Sequence, residues 1–202
     1  MSDFYMLNTR GLTYLTSSSD SSAIRRFLLY ILVLNSKQSI TMQQLVAWNG
    51  RSSEVVSRLV DKMLELGWLK TVDKDEYKYS QIKKSLQTND FSILSSTQQV
   101  LLADVNGLVI LNQGFDDHIA TSVAANATHM LSINEVSRQR NIDLYNGQPW
   151  AISLHWGALR LRAQYICLGT RKYVLVLGGK PQLDKPEFFT LVSMLHRRYV
   201  HE

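Results

Sequence analysis

Cysteine is almost missing from this chain of 202 residues. The single one, Cys167, excludes an internal disulfide framework and a cysteine-rich zinc site. Proline is nearly as scarce: Pro149, Pro181 and Pro186 are the only three, so no proline breaks a helix in the first 148 residues. That long proline-free stretch suits a helical N-terminal part. Long hydrophobic runs are missing too. The longest, residues 27–34, falls far short of the ~20 apolar residues needed to span a bilayer. Met1-Ser2-Asp3-Phe4 has no basic region followed by an apolar core, so it does not read as a secretory signal. Charge of either sign is modest. Hydrophobic residues make up 45% of the chain and charged residues 19%, which excludes a disordered chain. A soluble, cytoplasmic protein without membrane insertion is expected.

The length allows one domain or two small ones, and periodicity divides the chain near residues 81–97. The net charge of +5 follows this division unevenly. Residues 1–85 carry 12 Lys and Arg against 8 Asp and Glu, while residues 86–202 carry 10 against 9. The basic excess therefore lies in the first half, where it suits an acidic partner such as nucleic acid. Residues 1–22 are expected to be an N-terminal tail, its serine run 17–22 ending in a helix cap. Residues 23–80 form a first domain, 81–97 a polar connecting segment without Gly or Pro, and 98–202 a second domain.

In the first domain, spacing predicts a helix over 23–35 that is apolar on every side, and so packed on more than one face. Thr41 caps a short second helix ending before the Asn49-Gly50 turn. Ser52 or Ser53 caps a third, whose stripe is Val55, Val56, Leu59, Val60, Met63 and Leu64 and whose terminator is Gly67. Residues 68–72 and 76–80 read as strands joined by the Asp73-Lys74-Asp75 turn. Three helices and a hairpin in this order make a winged helix-turn-helix. The stretch 53–69, closing on Gly67-Trp68-Leu69, resembles the third helix and first wing strand of bacterial winged-helix regulators. That resemblance implies that Ser52, Ser53, Ser57, Arg58 and Lys62 face double-stranded DNA, with Lys74 and Lys78 on the wing. Arg51 adds a cation to the same surface. Glu54, Asp61 and Glu65 share it and repel phosphate, and Glu54 stands four residues before Arg58, a spacing that favours pairing. A winged helix used for protein contacts is the alternative.

In the second domain the order is strand, strand, helix, three strands, helix. Residues 100–104 and 108–112 flank a turn at Asp104-Val105-Asn106-Gly107, and a long helix follows over 117–136. Strands are expected over 151–156, 159–167 and 173–177, the second alternating cleanly. A closing helix is capped by Asp184 with Glu187. This order, with Ala103-Asp104-Val105-Asn106-Gly107-Leu108-Val109-Ile110 leading into a helix, resembles the roadblock/dynein light chain family over about residues 95–200. The fold class is therefore α+β: a winged helix-turn-helix, then a roadblock-like domain with a central antiparallel five-stranded sheet and flanking helices. The resemblance implies a homodimer paired through the long helix and a strand edge, with Ala120, Val123, Ala127 and Ile152 at the interface. It also implies no catalytic residues, and a small Ras-like GTPase as a partner class.

No catalytic constellation is found, and neither an enzyme nor a cofactor is expected. Leu177-Gly178-Gly179-Lys180-Pro181 lacks the spacing of a phosphate loop and reads as a strand-ending turn. Asp116-Asp117-His118 reads as a helix cap before it reads as a metal site. Cys167 reads as a small core residue, and His155 has no nucleophile partner. The leading expectation is a homodimeric transcription regulator that binds DNA through its winged helix. The second is an adaptor or regulator of a small GTPase.

Overall fold

The structure, a computed structural model, describes residues 4–20, 22–35, 40–73, 90–140 and 152–199. It divides into two compact units. One comprises Met1–Leu15, Asp20–Asn89 and Phe189–Glu202, the other Thr16–Ser19 and Asp90–Phe188. The division at Asn89 falls inside the expected connecting segment. The last residues, expected within the C-terminal domain, group instead with the first unit.

The first unit corrects the expectation of an N-terminal tail. Phe4–Leu7 form strand β1 and Thr9–Thr16 form helix α1. Helices α2 (Ala23–Asn35), α3 (Met42–Asn49) and α4 (Ser53–Glu65) and strand β2 (Leu69–Val72) follow. β1 pairs antiparallel with β2, from Phe4 opposite Val72 to Leu7 opposite Leu69, and Tyr5 donates its N–H to Ile40 O at 2.9 Å. The N–H of Asn8 donates to Trp68 O at 2.8 Å, and Asn8 Oδ1 accepts from the N–H of Thr9. Leu7, Leu12 and Leu15 are buried, and the Tyr14 ring stacks on Trp68 with centroids 4.0 Å apart. Arg25 then lies over the Tyr14 ring at 4.4 Å, donates from Nε to Tyr14 O and pairs with Asp20. The physical reason for the misreading is propensity. Thr9, Gly11, Thr13 and Thr16 are poor helix formers, so α1 depends on packing and not on local preference.

The three helices meet the sequence expectation closely. Ser22 Oγ accepts from the N–H of Arg25 at the start of α2. Thr41 and Gln44 close a capping box on α3, the Thr41 N–H donating to Gln44 Oε1 at 2.9 Å. α4 ends because Gly67 takes φ +67, which directs its own N–H to Leu64 O and that of Trp68 to Met63 O. This is a Schellman closure, and glycine fits its left-handed position without a Cβ penalty. Phe27, Leu28, Ile31 and Leu32 of α2, Leu45 of α3, and Val56, Val60 and Met63 of α4 are all buried. The strand expected over 76–80 lies outside the described residues, as do Lys74 and Lys78. Within them, the neighbour of β2 is β1.

The second unit holds a five-stranded sheet: β3 (Val100–Asp104), β4 (Val109–Gln113), β5 (Ile152–Trp156), β6 (Leu159–Leu168) and β7 (Arg171–Gly178). Its order is β4-β3-β7-β6-β5, and every neighbouring pair is antiparallel, so β4 and β5 are the edges. Helix α5 (Asp117–Arg140) covers one face. It buries Ala120, Val123, Ala124, Ala127 and Leu131 with Leu101, Ala103, Leu161, Ala163, Tyr165, Cys167, Val174 and Val176. Residues of the opposite sheet face, among them Val100, Leu102, Ile166, Leu175 and Leu177, are buried as well. A buried serine fastens the entry to this sheet: Ser95 Oγ donates to Gly178 O at 2.6 Å and accepts from the N–H groups of Thr97 and Gln99. The approach is close enough that a Cβ on Gly178 would stand 2.2 Å from Thr97 Oγ1. Helix α6 (Pro186–Tyr199) begins two residues beyond Asp184. Proline at the first helical position explains this start, since its missing N–H has no intrahelical partner there anyway.

Candidate functional site

The residues expected to read DNA sit on or beside α4, and the structure shows what surrounds them. Arg51, Ser52, Ser53, Arg58 and Lys62 are exposed and Ser57 is half-buried. Arg58 donates to Glu54 and Lys62 to Glu65, one turn away in each case, while Ser57 Oγ reaches Asp61 at 3.5 Å. All four ion-pair side chains are well over half solvent-exposed, so each pair is worth only about 0.3–0.5 kcal/mol. Their significance lies in the field they leave. The outward side of α4 presents cations already matched by carboxylates, with Asp61 between them.

A second surface lies beside this one. The start of α2, the end of α3, the Gly50 turn and α4 enclose a groove of about 660 Å³. Its walls are Ile24, Trp48, Val55, Val56 and Leu59, and its cations are Arg26, Arg51, Arg58 and Lys62. None of the described lining residues is acidic. Arg58 and Lys62 are paired with acids outside the lining, whereas Arg26 and Arg51 make no ion pair among the described residues. Trp48 is 41% exposed and Val55 44% exposed. Trp48 is nevertheless held in place: its ring stacks on Tyr30 at 4.2 Å and tilts against Phe27 at 5.7 Å. Of this set, sequence reasoning found Arg51, Arg58 and Lys62 but missed Arg26, Trp48 and Val55 as surface residues. Helical spacing assigns Val55 to the core, and no linear signal brings Arg26 of α2 to the groove that Arg51 lines.

The residues expected at a dimer interface are partly reassigned. Ala120, Val123 and Ala127 lie on the sheet-facing side of α5 and are buried inside their own chain, so they are core residues and are not available to a second subunit. The reason is size: small side chains let the helix backbone approach the sheet. Ile152 lies on edge strand β5, half-buried against the same core. The outward side of α5 carries exposed Ile119, Met130 and Ile133 instead. Near its end Glu135 pairs with Lys172 of β7, and Lys172 lies 5.4 Å from the Tyr165 ring. Burial first, then the nearby Glu135 charge, pushes the Tyr165 phenol above its ordinary value.

Other candidates resolve as local structure. Asp116 Oδ1 accepts from the N–H of His118, and Asp117 Oδ1 accepts from Asn112 Nδ2. Both carboxylates therefore serve the start of α5, and no cluster of three metal-ligating side chains occurs among the described residues. Gly178 ends β7, the N–H of Gly179 donates to Arg160 O and that of Lys180 to Ser96 Oγ, as a strand-ending turn requires. Cys167 is buried in the core beneath α5. Among the described residues no helix is long and apolar enough to cross a membrane.

Among solved structures, the chain is similar to a Roadblock/LC7 domain from Streptomyces avermitilis. The identity is 18% and the TM-score 0.38, over 56% of this chain and 99% of that one. No family model matches the chain, and no curated protein matches it.

Proposed function

We propose that this protein is a non-enzymatic regulatory adaptor. Its C-terminal unit pairs with a second copy, and its helix-turn-helix unit contacts protein in preference to DNA. The observation that carries this reading is the charge on α4, where Arg58 and Lys62 are matched by Glu54 and Glu65 and Asp61 stands between. A phosphate backbone approaching the outward side of α4 meets Glu54, Asp61 and Glu65 beside Arg58 and Lys62, which opposes the term that dominates DNA affinity. Among the described residues this leaves Arg51 as the unpaired cation of that surface. Pairing of two copies is supported by the position of β5 at one edge of the sheet among the described residues and by Ile119, Met130 and Ile133 exposed on α5. The roadblock resemblance supplies a small Ras-like GTPase as the partner class for the dimer.

The test has two arms. Pull-down of nucleotide-loaded Ras-like GTPases from the same organism should retain one of them, and light scattering should give the mass of two chains. A monomer that retains no GTPase in either nucleotide state would sink the proposal. Fluorescence anisotropy on genomic DNA fragments is the opposing arm. A fragment bound preferentially at physiological salt, and lost on Arg51→Ala, Arg58→Ala and Lys62→Ala, would restore the transcription reading.

A further inference from the structure

The groove between α2, α3 and α4 combines an apolar concave floor with a rim of cations, and none of its described lining residues is acidic. We infer that it receives an acidic linear segment of a partner protein, in which Asp or Glu residues flank a large apolar anchor. This rests on the reading of the helix-turn-helix unit as a protein-contact module and names the chemistry of its partner.

Three observations point to that occupant. Arg26 and Arg51 have no carboxylate partner among the described residues, so the groove offers two unmatched positive charges to an incoming carboxylate. Trp48 and Val55 leave more than a third of their surface in water although both line a concavity. An apolar anchor covering them gains by their desolvation. The Trp48 ring is already fixed between Tyr30 and Phe27, so binding orders little that is free beforehand. A rigid, half-exposed tryptophan inside a charged rim is the arrangement in which interface energy concentrates. The volume of about 660 Å³ lies within the range of pockets that enclose a compact ligand, and it suits an anchor side chain with its neighbours. Duplex DNA fits the same charges poorly, because stacked base edges do not enter an apolar pocket and phosphates gain nothing from its floor.

The experiment selects random twelve-residue peptides displayed on phage against the full chain, with counter-selection on the double variant Arg26→Glu with Arg51→Glu. Both positions are exposed, and circular dichroism melting checks that the variant remains folded. The enriched peptides should be net negative with an aromatic or leucine anchor. Synthesised with a fluorescein label, they should bind the double variant at least about tenfold more weakly than the unaltered chain. The equal charge change Arg160→Glu with Arg162→Glu, on exposed residues of the other unit, should leave affinity within about twofold. Replacing the acids of the peptide by Lys should restore binding to the double variant. No enrichment, enrichment of peptides without acids, or affinity indifferent to Arg26 and Arg51 would overturn the inference. So would a 20-base-pair duplex that displaces the peptides at physiological salt. The GTPase and mass measurements read the adaptor proposal separately, and a positive result there alongside an empty groove leaves that proposal standing without this one.

Discussion

Replacing Gly11 by Ala should destabilise the protein, against the direction that helix propensity alone predicts. Gly11 is the third residue of α1, where Ala is the better helix former by up to about 1 kcal/mol. If residues 1–22 were a detached tail, the change would raise its helicity and leave global stability alone. In the folded chain a Cβ at Gly11 would stand 2.3 Å from Trp68 O and 2.8 Å from Leu7 Cδ1. The first of these atoms is backbone, fixed by the hydrogen bond from Asn8 and by the closure of α4, so it cannot swing aside as a side chain does. Overpacking of this kind costs about 1–3 kcal/mol. A backbone obstacle puts it at the upper end, for a net loss of about 2 kcal/mol after the propensity gain. Urea unfolding followed by tryptophan fluorescence reads the effect, because Trp68 stacks on Tyr14 of the same helix. With a slope of about 1–2 kcal/mol per M, the midpoint should fall by about 1–2 M. An unchanged or raised midpoint would refute the docking of α1 on the β2 side of the unit.

Three further outcomes follow from the C-terminal unit. Ser95→Ala removes one donor and one shared acceptor from a buried site and should cost about 2–3 kcal/mol, read as a lower midpoint in chemical denaturation. Ala127→Glu buries a charge on the sheet-facing side of α5 and should abolish folding by circular dichroism, whereas Met130→Glu, on the exposed side, should shift stability by less than about 0.5 kcal/mol. If α5 pairs two copies, Met130→Glu should instead halve the mass seen by light scattering. The raised Tyr165 phenol sets a pH dependence: the unfolded chain ionises near pH 10 and the folded chain above it, so this contribution is present below pH 10 and lost as pH rises further. Between pH 9 and 11 the unaltered chain should lose stability faster than Tyr165→Phe, and parallel curves would rule this out.

The candidate site was legible only in part. Arg51, Arg58 and Lys62 stand out in sequence because a capped, amphipathic helix with a closing glycine places them outside. Their partners were also legible, since Glu54 and Arg58 are one turn apart. Arg26 was not, because α2 is apolar on nearly every side and only its packing decides which part of its surface reaches the groove. Trp48 was not, because it stands in the last turn of α3 and only the stacking on Tyr30 leaves part of its ring outside. The dimer residues failed for a related reason. Ala120, Val123 and Ala127 mark a helix face that permits close approach, but sequence does not say whether a sheet of the same chain or a second chain approaches.

Local chemistry alone determined the elements with strong caps and clean periodicity: α2, α3 and α4, the turn at Asp104 to Gly107, and the alternating strand β6. Each depends on neighbours in sequence, through i to i+4 spacing, a side-chain cap or period-two alternation, so it can be read along the chain. Tertiary structure decided what no window of neighbours contains. It made a folded element of residues 4–16, whose weak helix formers are held by Trp68 and Arg25, and it gave β2 a strand from the far end of the unit. It also brought Arg26 and Arg51 to the lining of one groove, and it set α5 on the sheet of its own chain. Those outcomes are long-range pairings, settled by burial and by the closure of distant contacts, and residue order leaves them open.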